Sequence, residues 1–262
     1  MPWASINGIR LYYQVQGRGP ALVFAHGAGG NHMSWWQQIP AFVPSYRCLA
    51  FDHRAFGRSH DAPGGPGRRA FADDLRELLD HLEIERAAIV AQSMGGRTAV
   101  GFSYRNPGRV SALVLAGTTA GAVNDAVRAA QDEHRRTPIG KRTLYQRAVS
   151  PRLGHERPDL ALLYRSIARL NPPRPKEFLA PVPGYRGSSA GFLVGLAIPI
   201  LFLVGAEDTI TPPDVVRMCH EQVPGSQYDV IEGAGHSAYF ERAEAFNARV
   251  LRFLQESGWA PE

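Results

Sequence analysis

Three residues of types that cooperate in nucleophilic catalysis each follow an apolar run typical of a buried strand. They are Ser93 after Ala87–Val90, Asp208 after Ile200–Val204 and His236 after Gln227–Ile231. A histidine can take the proton of a serine hydroxyl, while a carboxylate fixes the imidazole tautomer and stabilises its charged form. These residue types at successive strand ends therefore predict a serine hydrolase.

Small residues surround Ser93, as a tight strand–turn–helix with an exposed central hydroxyl requires. Ala91 lies two positions before it and Gly95 two positions after it, and Gly96 lets the following helix approach the strands. Glycine is the usual first residue of this nucleophile elbow, and alanine keeps the small size. A serine that only caps the helix Met94–Tyr104 is the structural alternative, because serine is a common N-cap residue.

The base and the acid are predicted from their positions in the chain. Among nine histidines, His236 is the one that follows a small-residue loop between the last predicted strand and the last predicted helix. Asp208 begins the loop after the preceding strand, where an aspartate that only caps a helix or a turn is the alternative. The neighbouring Glu207 is a second candidate for the acid.

The segments that must position these residues alternate between strand and helix. The predicted strands are Ile9–Gln16, Ala21–Ala25, Arg47–Phe51, Ala87–Ala91, Val110–Ala116, Ile200–Val204 and Gln227–Ile231. The predicted helices are Phe71–Leu82, Met94–Tyr104, Asp214–Gln222 and Arg242–Gln255. This alternation predicts an α/β fold whose mostly parallel central sheet is flanked by helices, with the site outside the carboxyl ends of the strands. We expect the first two predicted strands to form a hairpin.

Residues 121–196 interrupt the alternation with Pro- and Arg-rich, partly helical sequence such as Ala126–Arg136 and Leu160–Leu170. We predict that this segment is a helical lid inserted after the sixth strand of the sheet, by which we mean the strand Val110–Ala116. Residues 1–120 and 197–262 would then form the core.

Composition excludes several classes of protein. With 44% apolar and 20% charged residues the chain is typical of a globular protein, and it has no apolar run of about 18 residues that could span a membrane. The N-terminus lacks a secretory pattern, and Cys48 and Cys219 fall in a predicted strand and a predicted helix. We expect both to be reduced core residues of a cytoplasmic protein.

The net charge of +5 comes from the lid, where residues 121–195 contain 13 Lys and Arg against 6 Asp and Glu. These residues lack the aromatic interleaving of a nucleic-acid platform, so we expect no nucleic-acid partner. No cluster has metal-ligand spacing and no glycine-rich loop has a phosphate-binding pattern. We therefore expect a small-molecule substrate and neither metal nor cofactor; the sequence does not indicate an oligomeric state.

Apart from the lid, the sequence resembles the α/β-hydrolase superfamily over nearly its whole length. The resemblance is carried by the chain order Ser, Asp, His and by four loops: His26–Gly30, Asp52–Ser59, Gly205–Asp208 and His236–Phe246. It implies that His26–Gly30 is the oxyanion loop and that Asp52, Arg54 and Ser59 build a turn in which Ala55 replaces the family's glycine.

The resemblance also implies an oxyanion hole formed by the backbone N–H groups of Ala28 and Met94. A helix that begins at Met94 offers unpaired N–H groups and a dipole that favours an anion. On the family's pattern the His26 side chain organises the loop and takes no part in the chemistry.

The predicted reaction is hydrolysis of a small carboxylic ester or lactone through an acyl-enzyme on Ser93, with His236 as general base and Asp208 as orienting acid. One alternative is hydrolysis of a carbon–carbon bond in a carboxylate-bearing diketone, because the eleven arginines in residues 121–195 could bind a carboxylate. The competing interpretation of these arginines is a solvated helical face. A non-catalytic ligand receptor is the other alternative, although a receptor has no need of the complete Ser, Asp and His set.

Candidates for the substrate pocket follow the oxyanion loop. They are His32, Trp35 and Trp36. A tryptophan at the start of a helix is also typical of a core position, which is the alternative for these residues.

Overall fold

The computed structural model describes residues 2–136, 143–174, 178 and 190–260. At its centre is one sheet in the spatial order β1-β2-β4-β3-β5-β6-β7-β8. Its strands are β1 (Trp3–Ile6), β2 (Ile9–Gln16), β3 (Ala21–Ala25), β4 (Arg47–Phe51), β5 (Ala87–Gln92), β6 (Val110–Ala116), β7 (Ile200–Gly205) and β8 (Gln227–Ile231). From β4 to β8 every neighbouring pair is parallel, which confirms the predicted fold class.

The prediction that β2 and β3 form a hairpin is wrong. β2 pairs antiparallel with β1 on one side and with β4 on the other, whereas β3 lies between β4 and β5 and is parallel to both. The burial patterns explain this arrangement. All five residues of β3 are buried, as in a strand inside a parallel sheet, whereas β2 becomes more exposed towards its end.

Helices cover both faces of this sheet. The α-helices of the described chain are α1 (Gln38–Phe42), α2 (Phe71–His81), α3 (Met94–Arg105), α4 (Asp125–Arg136), α5 (Leu144–Arg147), α6 (Leu153–Glu156), α7 (Pro158–Arg169), α8 (Ala190–Gly195), α9 (Pro213–Glu221), α10 (Ala238–Glu241) and α11 (Ala243–Glu256). Short 3₁₀-helices span His32–Trp35 and Gly67–Ala70. Buried residues of α2, α3 and α9 pack on one face of the sheet, and those of α1 and α11 pack on the other.

Both cysteines are core residues, as the sequence predicts. Cys48 lies on the α1 and α11 face and Cys219 on the α2, α3 and α9 face, and both thiols are free. Burial raises the pKa of each thiol to about 12, so both are protonated at neutral pH. In the described residues no helix has the length and apolar character needed to cross a bilayer.

Between β6 and β7 the chain forms α4 to α8 instead of continuing the alternation. α7 packs against α10 and the 3₁₀-helix His32–Trp35, and α4 packs against α9. Residues 137–142, 175–177 and 179–189 of the predicted lid lie outside the described residues. The division into a core and a lid stays a prediction.

Candidate active site

Ser93 occupies a strained turn between β5 and α3. Its backbone has φ 51° and ψ −112°, in the region that favours glycine, and its N–H donates to the Ala116 carbonyl at 2.9 Å. The Ser93 side chain makes no capping hydrogen bond to α3, so the geometry differs from that of a helix-capping serine. A methyl group on Gly95 would collide with the Ala25 carbonyl oxygen, which explains the small residue two positions after Ser93.

The structure brings His236 and Asp208 into direct contact. Nδ1 of His236 lies 2.7 Å from Oδ2 of Asp208, and both residues are buried. Oδ1 of the same carboxylate accepts hydrogen bonds from the backbone N–H groups of Ile210 and Thr211, each at 2.8 Å. The carboxylate is therefore fixed from both sides, with one oxygen left for the imidazole.

Gly117 lies directly behind this pair. It has φ +54°, and a Cβ there would lie 3.1 Å from Nδ1 of His236 and 3.3 Å from Oδ2 of Asp208. Both the backbone conformation and the close approach favour glycine at this position.

Glu207, the competing acid, points to different partners. One carboxylate oxygen accepts a hydrogen bond from Oγ of Ser150 at 2.6 Å, and the other is paired with Arg152. Of the two neighbouring acids, Asp208 is the one that contacts His236.

Two buried side chains position the loop that carries His236. The Glu241 carboxylate accepts hydrogen bonds from the N–H of Gly235 at 2.9 Å and from the N–H of Ser150 at 2.7 Å. Burial raises the pKa of Glu241 to about 7. Nε2 of Gln92 donates to the His236 carbonyl at 3.2 Å, which connects the turn at Ser93 to the histidine loop.

The His26 side chain belongs to a buried chain of hydrogen bonds. Its Nδ1 lies 2.8 Å from the Gly27 carbonyl, which can only accept, so this nitrogen carries the proton. Its Nε2 then accepts from the N–H and from Nδ1 of His53, each at 3.1 Å, and Nε2 of His53 accepts from the Thr98 hydroxyl at 2.9 Å. Burial lowers the pKa of His26 to about 4 and that of His53 well below its usual value, so both rings are neutral.

Two side chains from the segment between β6 and β7 contact the loop that follows His26. Nδ2 of Asn171 donates to the Gly29 carbonyl at 3.3 Å, and the Arg174 guanidinium donates to the Ala28 carbonyl at 3.4 Å. The N–H groups of Ala28 and Met94 donate no hydrogen bond to any described residue, and both residues line the same cavity. This arrangement leaves two backbone donors available to a ligand.

A cavity of about 500 Å³ joins these groups. Ser93, His236, Ala28 and Met94 line it together with Leu144, Tyr145, Ala148, Tyr164 and Ala168 from the segment between β6 and β7. Three arginines also contribute to its wall: Arg68, Arg97 and Arg174. The site thus combines a mostly apolar wall with a few polar and cationic groups, as ligand sites generally do.

The predicted pocket residues lie elsewhere in the structure. Trp35 is fully buried against Phe24 and Tyr239 in the core, and Trp36 is 44% exposed. Nδ1 of His32 lies 2.8 Å from Oδ1 of Asp52. None of the three predicted residues is among the described residues that line the cavity, because Trp35 lies in the core, Trp36 at the surface and His32 against Asp52.

The turn after β4 is a structural element. Oδ2 of Asp52 accepts from the N–H of Arg58, and Oγ of Ser59 accepts from the N–H of Tyr12. The buried Arg54 donates two hydrogen bonds to Asp74, at 2.6 and 2.7 Å, and one to Asp61 at 2.9 Å. Ala55, which stands in place of the family's glycine, has φ 65°.

Comparison with known proteins agrees with this architecture. A family model described as the alpha/beta hydrolase fold matches residues 20–243. The chain belongs to the α/β-hydrolase family. This assignment confirms the resemblance seen in the sequence.

Individual relatives differ in the reactions named for them. A 2-hydroxy-6-oxononadienedioate/2-hydroxy-6-oxononatrienedioate hydrolase of Paraburkholderia phymatum is 29% identical over 275 residues, covering 94% of this chain and 91% of that protein. The solved structure of an esterase from Thermogutta terrifontis has a TM-score of 0.80 at 26% identity and covers 98% of this chain and 97% of its own. A structure described as an N-acyl homoserine lactone degrading enzyme has a TM-score of 0.77 at 27% identity, covering 96% of this chain and 100% of that one.

Sequence reasoning missed five residues that complete the site. They are Gln92, Glu241, Tyr164, Asn171 and Arg174. Gln92 and Glu241 are near Ser93 and His236 in the chain, so their positions offered a local signal. The other three come from the segment between β6 and β7, where no spacing indicated which side chains would reach the core.

Proposed function

We propose that this protein is a serine hydrolase that cleaves a small-molecule carboxylic ester or lactone through an acyl-enzyme on Ser93. The observation that carries the proposal is the 2.7 Å contact between the buried residues His236 and Asp208. Two backbone N–H groups anchor the Asp208 carboxylate, and His236 lines the same cavity as Ser93. A helix-capping serine and an unrelated histidine would have no need of this arrangement.

In the proposed mechanism, Nε2 of His236 takes the proton of the Ser93 hydroxyl as its oxygen attacks the substrate carbonyl carbon. Asp208 accepts the hydrogen bond from Nδ1–H and stabilises the imidazolium that forms. The oxygen of the tetrahedral intermediate receives hydrogen bonds from the N–H groups of Ala28 and Met94.

Collapse of this intermediate breaks the bond to the leaving alcohol, which takes the proton from Nε2 of His236. A water molecule then attacks the acyl-enzyme by the same route, with His236 again as base. The carboxylic acid is released and the Ser93 hydroxyl is restored.

The cavity supports a small substrate and a lid role for residues 121–196. Its volume of about 500 Å³ lies within the range of small-molecule sites. Leu144, Tyr145 and Tyr164 come from the segment between β6 and β7 and form part of its wall. Relatives named as an esterase and as a lactone-degrading enzyme support the bond type. A cytoplasmic location stays a prediction from the sequence.

Hydrolysis of a carbon–carbon bond is the second candidate. The arginines in the cavity wall favour it, since they could bind the carboxylate of a diketone acid, and one relative is named for such a substrate. Turnover of a vinylogous diketone acid together with failure to cleave nitrophenyl esters and lactones would select this candidate over the first.

Labelling with a fluorophosphonate probe tests the proposed nucleophile. We expect rapid labelling of the wild type, none of Ser93→Ala, and retained labelling of the matched control Ser237→Ala, whose hydroxyl is paired with Tyr164 at 2.7 Å. A folded wild-type protein that is not labelled would contradict an activated Ser93. Ligand binding that is unchanged in Ser93→Ala, without turnover, would then support the receptor alternative.

A further inference from the structure

The described part of the cavity wall contains arginines and no acidic side chain. Arg68, Arg97 and Arg174 line it, and no aspartate or glutamate is among the described residues that do so. Elsewhere in the described chain arginines commonly face a carboxylate, as Arg54 does with Asp74 at 2.6 Å and Arg249 with Asp229 at 2.8 Å. Arg97 and Arg174, unlike these two arginines, are not paired with an acid of the described residues.

Arg97 is the most accessible of these three arginines. It lies on α3 three positions after Met94, so its Cα is about 4.5 Å farther along the helix from the proposed oxyanion donor. The residue is exposed, and it makes no hydrogen bond or ion pair with any described residue. Since it contributes nothing visible to folding, its guanidinium is available to a ligand in the cavity.

Arg174 supplies a second cation on the same wall, beside the oxyanion loop. Its guanidinium lies 3.9 Å from the centre of the Phe56 ring and donates to the Ala55 carbonyl at 3.0 Å and to the Ala28 carbonyl at 3.4 Å. Burial lowers the pKa of Arg174. Two carbonyl oxygens do not satisfy the five N–H donors of a guanidinium, and no described carboxylate neutralises it.

A narrow cleft extends this cationic surface away from the cavity. The cleft shares Arg68, Met94 and Arg97 with the cavity and adds to its lining Arg69 and Arg105, the second of which is paired with Asp73 at 2.8 Å. Arg97 thus lies where the two spaces meet. An anionic group there would face guanidinium groups from α3 and from the 3₁₀-helix Gly67–Ala70.

We propose that the acyl substrate carries a free carboxylate in addition to the bond that is cleaved, and that Arg97 binds this carboxylate. A guanidinium matches a carboxylate in shape and charge through two parallel N–H···O bonds. This inference rests on the proposed function for the reaction at Ser93, and it narrows the substrate class to monoesters of dicarboxylic acids and to lactones that bear a carboxylate.

Two esters that differ only in the terminal group test the inference. The 4-nitrophenyl monoester of glutaric acid ends in a carboxylate, whereas 4-nitrophenyl pentanoate ends in a methyl group at the same position. We expect the wild type to favour the glutarate monoester by at least about tenfold in kcat/KM, the size of one hydrogen-bonded charge pair. In Arg97→Glu this preference falls at least about tenfold through KM, and in Arg97→Gln it falls by less.

The matched control is Arg135→Glu, the same charge change on α4 at a side chain that is 70% exposed and not in the cavity wall. It should leave the ratio of the two kcat/KM values unchanged, because the effect depends on the position of the charge and not on net charge. An equal preference in wild type and Arg97→Glu, or an equal loss in Arg135→Glu, would overturn the proposed site.

Binding separates this inference from the reaction itself. By titration calorimetry the Ser93→Ala protein should bind 5-phenylpentanoate at least about tenfold more tightly than 5-phenylpentanamide, and the additional change Arg97→Glu should remove the difference. If neither ester is hydrolysed in a Ser93-dependent way, the proposed function fails. The difference in affinity between the acid and the amide still tests whether Arg97 binds a carboxylate. Equal binding of the acid and the amide would refute the inference.

Discussion

Replacing Asp208 by Asn should disable the site without disturbing its shape. Oδ1 of Asp208 accepts two backbone hydrogen bonds at 2.8 Å, from Ile210 and Thr211, so the asparagine must keep its oxygen at that position. Its NH₂ group then faces Nδ1 of His236, where Oδ2 now lies 2.7 Å away. Because NH₂ can only donate, Nδ1 must become the acceptor, and the imidazole proton moves to Nε2.

A proton on Nε2 removes the base that Ser93 needs. In Ser-His-Asp proteases the same change lowers the rate about 10⁴-fold, which corresponds to about 5.5 kcal/mol of activation free energy. We expect a loss of this size in the rate of fluorophosphonate labelling of Ser93, an assay that requires no knowledge of the substrate. The melting temperature should change little, since both backbone hydrogen bonds remain.

Glu207→Gln is the matched control. The Glu207 carboxylate is next to Asp208 in the chain, but it is bound to Ser150 and Arg152 and not to His236. Its labelling rate should stay within about threefold of wild type, the effect of a partly exposed contact. The assignment of Asp208 would be refuted if Asp208→Asn kept more than a tenth of the wild-type labelling rate. It would also fail if Glu207→Gln lost as much as Asp208→Asn.

Three further predictions concern the surrounding structure. Ala55→Gly should raise the free energy of unfolding by about 1 kcal/mol in urea titrations, because Ala55 has φ 65°; an unchanged midpoint would contradict this. Burial lowers the pKa of His26 to about 4 from 6.5, so its stabilising contribution is present above pH 6.5 and is lost as pH falls towards 4. The stability advantage of wild type over His26→Asn should therefore shrink by about 3 kcal/mol between pH 7 and pH 4, and a constant difference would exclude a neutral buried His26. Asn171→Ala should lower kcat for 4-nitrophenyl pentanoate by about tenfold with little change in KM, since the hydrogen bond from Asn171 to the Gly29 carbonyl holds the oxyanion loop; a pure KM effect would contradict that role.

Periodicity and turn chemistry were sufficient to locate most elements of the core. β2, β3, β4 and β6 have the predicted bounds, and the helix after Ser93 extends one residue beyond its predicted end. These elements are strongly patterned apolar runs, and glycine directly follows β2 and β6, so local signals dominate. The predicted pairing of β2 with β3 was wrong, because the turn between two strands does not specify whether they pair with each other. β2 pairs instead with β4.

Side-chain direction was the point at which local signals failed in the site. Trp35 ends a short helix and Trp36 follows it directly, yet the first is fully buried and the second is 44% exposed, and neither is among the described residues that line the cavity. Asn171 contacts a carbonyl that is 142 residues away in the chain. No spacing rule relates such residues, because their contact depends on how the segment between β6 and β7 packs on the core.

The sequence by itself determined the α/β class and the strand-end positions of Ser93, Asp208 and His236, because buried runs and small-residue turns are written in consecutive residues. Only the tertiary structure decided that Asp208 and not Glu207 contacts His236, since the two acids are adjacent and differ only in direction. It also decided which arginines face the cavity. The direction of a side chain and the absence of a described carboxylate beside it depend on distant parts of the chain, and these properties distinguish the exposed Arg97 from surface arginines that are paired, such as Arg135 with Asp132.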